Sequence, residues 1–152
     1  MQIKASLEIR RLSLSEHRKI LQNLDLFWLS KTEFIRPYHH ALFSLLFADS
    51  SFALYKDSEL VSYLYGACNR TKAFIHIIAT RPQYYKNGYA SILLRHFENT
   101  IKEKNINRIW TYIVPENSRS KIFFEKNGFI MRKEILISTD EKRILFRKTH
   151  ER

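Results

Sequence analysis

The sequence predicts an α/β fold, a mixed sheet flanked by helices, with the element order βααβββαβαββ. Three observations support this prediction. β-rich runs occupy residues 51–81, apolar residues then recur at helical spacing up to Ile101, and two further β-rich runs follow Gly128. The chain has 152 residues, the normal length of one domain, so we expect a single domain over residues 1–152.

The N-terminal half begins with a short predicted strand from Leu7 to Leu12. Ser13 to Glu16 has the capping-box pattern and predicts a helix to about Leu24. Pro37 suits the first turn of a second helix, which would run through Phe47. Three strands follow, joined first by a turn at Asp57-Ser58, over residues 51–55, 59–67 and 72–81.

A long amphipathic helix is predicted after Pro82. Its apolar residues recur at helical spacing: Ala90, Leu93, Leu94, Phe97 and Ile101. Glu98 and Lys102 are four residues apart, and we expect both on the solvent-facing side.

The C-terminal third contains a strand, a short helix and a strand pair. The strand covers residues 108–114 and is ended by Pro115. Asn117 is a good N-cap for a helix through Lys126, which Gly128 stops. Residues 129–148 are predicted to form two strands joined near Thr139-Asp140.

Composition and charge limit the possible classes of protein. Cys68 is the only cysteine, so no disulfide forms within the chain, which fits a cytoplasmic protein. We see neither a secretory signal nor an apolar run of membrane-spanning length, and therefore expect no membrane partner. The formal charge of +11 favours anions. It is consistent with a polyanionic cofactor, a nucleic-acid partner or simple compositional bias.

A candidate anion site lies in the turn from Tyr85 to Ser91. A strand, a turn and a helix N-terminus follow one another there, so unpaired backbone N–H groups meet the positive end of the helix dipole. Gly88 permits close approach of a phosphate, and Lys86 adds a positive charge. One glycine in a basic loop also fits an ordinary strand-to-helix turn.

Two motifs in this order resemble those of the GNAT acetyltransferases. The stretch from Thr80 to Leu94 is similar to the family's Gln/Arg-x-x-Gly-x-Gly/Ala motif, with Gly88 and Ala90 matching and Tyr85 where Gln or Arg is usual. Some thirty residues later, NSRSKIFFEKNGF (117–129) resembles the second motif, N-x-x-A-x-x-F/L-Y-E-K-x-G-F. The resemblance covers residues 75–129, and the predicted element order agrees with the family across nearly the whole chain.

The resemblance implies an N-acetyltransferase with acetyl-CoA as co-substrate, in which an amine attacks the thioester directly. Acetyl-CoA would bind where strands 72–81 and 108–114 splay apart, and a strand N–H would stabilise the oxyanion. The implied cofactor-binding residues are Ile78, Ala79 and Thr80 for the pantetheine arm, the amides of Tyr85, Lys86, Asn87, Gly88, Tyr89, Ala90 and Ser91 for the pyrophosphate, and Asn117 and Phe124 beyond them.

His76 is the candidate general base, because imidazole has an ordinary pKa near neutrality and suits deprotonation of an ammonium. The stretch His76 to Thr80 is similar to the strand that carries a catalytic histidine in arylalkylamine N-acetyltransferases of this family. In an alternating strand His76 shares a face with Phe74, Ile78 and Thr80. The alternative is a buried structural histidine.

Phe124 occupies the position of the tyrosine that, in many members of the family, protonates the departing thiolate. Phenylalanine has no hydroxyl and cannot act as an acid. Three outcomes are open: no acid is needed, a hydroxyl or water replaces it, or the domain binds acetyl-CoA and catalyses poorly. The hydroxyls considered are those of Ser120, Tyr85 and Tyr89.

The acceptor is not specified by the sequence. In this family the two N-terminal helices usually form one wall of the acceptor site, a region that here contains Trp28, Phe34, Arg36, Tyr38, His39 and His40. The leading alternative is the amine of a small molecule, a protein N-terminus or a lysine. The second is an RNA-bound amine, such as aminoacyl-tRNA, which the +11 charge motivates. The third alternative is a catalytically weak CoA-binding module. The protein is expected to be a monomer or a homodimer.

Overall fold

The computed structural model describes residues 5–23, 27 and 46–151. Within them the helices are α1 (Leu14–Gln22), α2 (Tyr89–Glu103) and α3 (Ser118–Lys126). The strands are β1 (Leu7–Arg11), β2 (Phe52–Lys56), β3 (Glu59–Cys68), β4 (Ala73–Thr80), β5 (Arg108–Ile113), β6 (Ile130–Ser138) and β7 (Glu141–Thr149). The helix predicted to begin near Pro37 lies outside the described residues, and the other elements follow the predicted order. No described helix is long and apolar enough to cross a lipid bilayer.

Local signals in the sequence account for several element boundaries. The Ser13 side chain accepts a hydrogen bond from the Glu16 amide at 3.3 Å and begins α1 as an N-cap. Asp57 and Ser58 both have positive φ, 48° and 68°, which is the geometry of a tight hairpin turn. Gly128 has a φ of +88° just past the end of α3, where a left-handed residue commonly ends a helix.

The seven strands form one mixed sheet in the order β1-β2-β3-β4-β5-β7-β6. β4 and β5 pair in parallel, and all the other neighbours pair antiparallel. The parallel pair follows from α2, which crosses over between β4 and β5 and so brings the chain back in the same direction. The sheet therefore has its single parallel junction at its centre, between the strands predicted to hold the cofactor.

Each face of the sheet carries an apolar cluster. On one face α2 packs Leu93, Leu94 and Phe97 against residues of the central strands, including Leu64 and Ile75. The second cluster contains Ile20 of α1 and side chains of β2, β3 and β4, namely Ala53, Tyr55, Leu60, Tyr63, Tyr65, Ile77 and Ala79, together with Leu12, which lies between β1 and α1, and Phe27. β4 contributes to both clusters and is buried between them.

The prediction that Glu98 of α2 faces solvent is wrong. Its side chain is buried, with 9% exposure for the residue, and Lys148 of β7 donates a hydrogen bond to its carboxylate at 2.8 Å. A buried carboxylate needs a partner of opposite charge, and Lys148 supplies it across 50 positions of sequence. The helical period alone could not reveal that partner, because Lys148 belongs to a different element.

At Gly66 the backbone of β3 lies close to α2. A Cβ atom there would lie 2.4 Å from Cε2 of Phe97 and 2.6 Å from the carbonyl oxygen of Ser50. We expect Gly66→Ala to lower the free energy of unfolding by about 2 kcal/mol, because both the helix and the backbone must shift. Urea denaturation monitored by circular dichroism measures this change, and a loss below about 0.5 kcal/mol would contradict the close approach.

Candidate active site

β4 and β5 separate after three residues of pairing. Ala73 aligns with Ile109, Phe74 with Trp110 and Ile75 with Thr111, and the register between the two strands ends there although both continue. At the point of separation the Thr111 hydroxyl donates a hydrogen bond to the Ile75 carbonyl at 3.1 Å. From His76 to Thr80, β4 therefore has an edge that β5 does not cover, and an extended ligand can pair with its backbone.

His76 lies in a β-bulge at this same point. Ile75 aligns with Gly66 of β3 and Ile77 with Tyr65, so His76 is the extra residue of β4. The bulge breaks the alternation expected for this strand, and the prediction that His76 shares a face with Ile78 and Thr80 is wrong in consequence. Ile78 instead packs against the cluster beneath α2, and Thr80 Oγ1 lies 2.9 Å from the Ser62 hydroxyl.

The His76 side chain meets Tyr112 of β5. Nδ1 of His76 lies 3.0 Å from the Tyr112 hydroxyl, and the Phe74 ring lies 5.2 Å from the Tyr112 ring, centre to centre. Burial raises the pKa of Tyr112, so the phenol stays protonated at neutral pH. Sequence reasoning missed Tyr112. The signal that could have found it is the parallel register of β4 and β5, which places Phe74 beside Trp110 and brings Tyr112 level with the bulge.

The turn from Tyr85 to Ser91 has the geometry of an anion site. Lys86 and Gly88 have positive φ, 63° and 79°, and Gly88 is the N-cap of α2. The first helical bond runs from the Ile92 amide to the Gly88 carbonyl, so the amides of Tyr89, Ala90 and Ser91 precede the helix hydrogen bonds. A Cβ at Gly88 would meet no described atom within 4 Å, which leaves space for a phosphate against the backbone.

Side chains at the start of the turn hold it in place. The Asn87 side chain donates hydrogen bonds to the carbonyls of Tyr84 and Tyr85, at 3.0 and 3.2 Å. The Tyr84 hydroxyl and the Arg81 guanidinium both donate to the carboxylate of Glu59 on β3, at 2.5 and 3.0 Å. The hydrogen bond to Glu59 raises the pKa of Tyr84. Asn87 thus supports the predicted pyrophosphate turn through its side chain.

The second motif meets the first through Arg119. Its guanidinium carbon lies 4.2 Å from the centre of the Tyr85 ring, a cation–π contact. Tyr85 occupies the motif position at which the family usually has Gln or Arg. Arg119 therefore supplies a positive charge beside this position. Asn117 begins α3, and its side-chain oxygen accepts a hydrogen bond from the Ser120 amide at 3.1 Å. The structure therefore brings the N-terminus of α3 close to the turn.

Phe124 is buried in the core of the protein. It is 6% exposed and packs between Phe123 and Phe129, with ring centres 5.1 and 5.0 Å away. Its side chain belongs to the apolar cluster beneath α2. The six residues proposed for the acceptor side, from Trp28 to His40, lie outside the described residues.

Comparisons with known proteins agree with this fold. A family model described as "Acetyltransferase (GNAT) family" matches residues 22–129. A search of curated proteins found no match. Among solved structures, Ard1 from Thermoplasma volcanium aligns with a TM-score of 0.83 at 17% identity, over 96% of this chain and 99% of that chain.

Two further solved structures share the fold. The PaiA N-acetyltransferase from Thermoplasma acidophilum, in complex with coenzyme A, has a TM-score of 0.75 at 19% identity, over 95% of this chain and 99% of that chain. The ribosomal-protein-S18-alanine N-acetyltransferase from Escherichia coli has a TM-score of 0.75 at 15% identity, over 95% and 94% of the two chains. The predicted fold is confirmed, and because the family model covers more than half of the sequence, this chain belongs to the GNAT family and is an N-acetyltransferase with acetyl-CoA as co-substrate.

Proposed function

We propose that this enzyme transfers the acetyl group from acetyl-CoA to a primary amine by direct attack, with His76 as general base. The observation that carries the proposal is the hydrogen-bonded pair of His76 and Tyr112, located where β4 and β5 separate. A base at that point lies beside the uncovered edge of β4, along which the thioester would be held.

The cofactor would follow β4 to the start of α2. Backbone groups of Ile78, Ala79 and Thr80 bind the pantetheine arm, and the amides from Tyr85 to Ser91 bind the pyrophosphate, with the exposed Lys86 adding charge. Arg119 adds a second cation at Tyr85. Asn117 borders the cofactor on its far side, while Phe124, buried in the core, supports this wall by packing.

The proton has a path that uses both members of the pair. The imidazole of His76 accepts a proton from the amine as the C–N bond forms, and a β4 amide donates to the oxyanion. The C–S bond then breaks, Tyr112 gives its hydroxyl proton to the departing thiolate, and the Nδ1 proton of His76 passes to Tyr112. The neutral phenol, kept protonated by its raised pKa, supplies the acid that Phe124 lacks. Protons balance, and both residues end neutral.

A thiol-release assay with acetyl-CoA and a pooled library of amines and peptides tests this function. We expect release of free CoA only when an acceptor is present, because direct attack forms no acyl-enzyme that water could hydrolyse. The product is identified by mass spectrometry as an N-acetyl amine. Tight CoA binding without release over the whole library would contradict the proposal and favour the CoA-binding module.

The charge of +11 favours one variant of this function, in which the amine is attached to RNA. Aminoacyl-tRNA is therefore included in the panel, and its binding is measured at several salt concentrations. An RNA acceptor requires affinity that falls steeply with salt, because phosphate contacts release counterions. If the enzyme does not bind RNA at low salt, this variant is excluded and free amines remain.

A further inference from the structure

A cavity of about 610 Å³ opens at the end of the central strands that lies away from the pyrophosphate turn. Its walls include Phe74 of β4, Trp110 of β5 and Leu145 of β7. The volume is within the range of small-molecule sites, roughly 300–1,000 Å³. Nothing in the cofactor path uses this cavity, because the uncovered edge of β4 begins two residues later, at His76.

The cavity adjoins the proposed base. Phe74 lines it and also contacts the ring of Tyr112, whose hydroxyl is 3.0 Å from His76 Nδ1. Trp110 and Tyr112 are two residues apart in β5 and therefore lie on the same face. A molecule held against Phe74 and Trp110 would thus have its reactive end at the point where β4 and β5 separate.

Among the described residues that line the cavity, all the charged ones are cations. Lys72 and Lys133 line it, and both are exposed. The guanidinium carbon of Arg147 lies 5.4 Å from the centre of the Trp110 ring. None of the described residues that line the cavity is acidic. Apolar walls with cations at the rim favour a ligand that has an apolar body and an anionic group.

We infer that this cavity is the acceptor site, and that the acceptor is a primary amine whose apolar body separates the amine from a carboxylate or another acidic group. The inference rests on the proposed function, since it places the amine beside His76. The apolar body would pack on Phe74 and Trp110, and the acidic group would pair with Lys72 and Lys133. A diamine is disfavoured, because its second ammonium would face the same two lysines.

Three matched acceptors test the charge preference: 4-(aminomethyl)benzoate, its primary amide, and 1,4-bis(aminomethyl)benzene. All carry a benzylic amine on the same ring and differ in the group at the far end. We expect kcat/KM for the carboxylate to exceed that for the amide by about 10-fold, as two partly screened ion pairs allow, with the diamine lowest. The double variant Lys72→Gln/Lys133→Gln should reduce this preference to within about 2-fold while acetyl-CoA affinity stays unchanged.

The control is Lys102→Gln/Lys126→Gln, which removes the same charge from exposed positions of α2 and α3 and should keep the preference. A readout without turnover is calorimetric binding of the products 4-(acetamidomethyl)benzoate and its amide to the CoA complex. Equal affinity for the two products, or a preference that survives removal of Lys72 and Lys133, would overturn the inference. If the product preference is present and depends on the two lysines but no amine in the library releases CoA, the anion-selective cavity stands and the proposed function fails.

Discussion

Replacing His76 with glutamine is expected to lower kcat/KM for acetyl transfer by about 10²-fold or more, because the variant has no base to take the proton of the attacking amine. Glutamine keeps a polar side chain of similar length in the bulge of β4. The backbone that is proposed to bind the pantetheine arm is therefore retained, and the dissociation constant of acetyl-CoA should change by less than about 2-fold. Stopped-flow thiol release measures the first quantity and calorimetry the second.

The pH dependence separates a base from a structural histidine. In the wild type, kcat/KM should rise with pH as the base loses its proton, and this limb should disappear in His76→Gln. Wild-type turnover that is flat from pH 6 to pH 8 would contradict the assignment.

Tyr112→Phe should lower the rate of acetyl transfer by about 10-fold. The double variant His76→Gln/Tyr112→Phe should be little slower than His76→Gln alone, because the effects of residues that act as a unit are not additive.

Whether a feature of this site could be predicted from the sequence depends on how far apart in the chain the interacting residues are. Ser13, Asn117 and Gly128 act on backbone groups within three or four residues, and the structure confirms all three element boundaries. The turn at Gly88 is equally local, since a strand end, a glycine and an amphipathic helix follow one another. A residue that forms its hydrogen bond within one turn of the chain can be recognised from the sequence, because its partner lies only a few residues away.

The bulge and the tyrosine depend on pairing between strands. Nothing within β4 itself marks His76 as an extra residue, since the bulge exists only in the register with Tyr65 and Gly66 of β3. The contact with Tyr112 likewise depends on how β4 and β5 align, 36 positions apart in sequence. A register shift of one residue turns side chains to the other face, so an alternation rule fails where a bulge intervenes.

Phe124 shows how a mismatch with a family motif can mislead. A missing hydroxyl at that position suggests a loss of catalysis when the motif is read alone. In the structure the ring fills the core between Phe123 and Phe129, and a different hydroxyl, that of Tyr112, lies beside His76. The acid that we propose for this enzyme therefore lies on β5, and under this proposal the weak-catalyst alternative loses the argument that motivated it.

Gly88→Asn is expected to weaken acetyl-CoA binding by about 10²-fold while leaving the fold intact. Asparagine adopts the left-handed conformation at low cost, and its Cβ would meet no described atom within 4 Å, so the free protein tolerates it. The new side chain would instead occupy the space from which a pyrophosphate reaches the amides of Tyr89 to Ser91. Losing two charge-assisted hydrogen bonds, about 1.5 kcal/mol each, accounts for a change of this size.

The control for this change is Gly128→Asn, at the other described glycine with positive φ. A Cβ there would lie 3.3 Å from Cε of Lys148, the side chain that pairs with Glu98, and Gly128 follows α3 and is not part of the turn from Tyr85 to Ser91. This variant should match wild-type acetyl-CoA affinity in calorimetry, and thermal denaturation should show both variants folded. Wild-type affinity in Gly88→Asn would place the pyrophosphate elsewhere. Asparagine adopts a positive φ at little cost in free energy. A folded variant that binds acetyl-CoA weakly would therefore show that the loss of affinity comes from blocked backbone amides and not from strain in the turn.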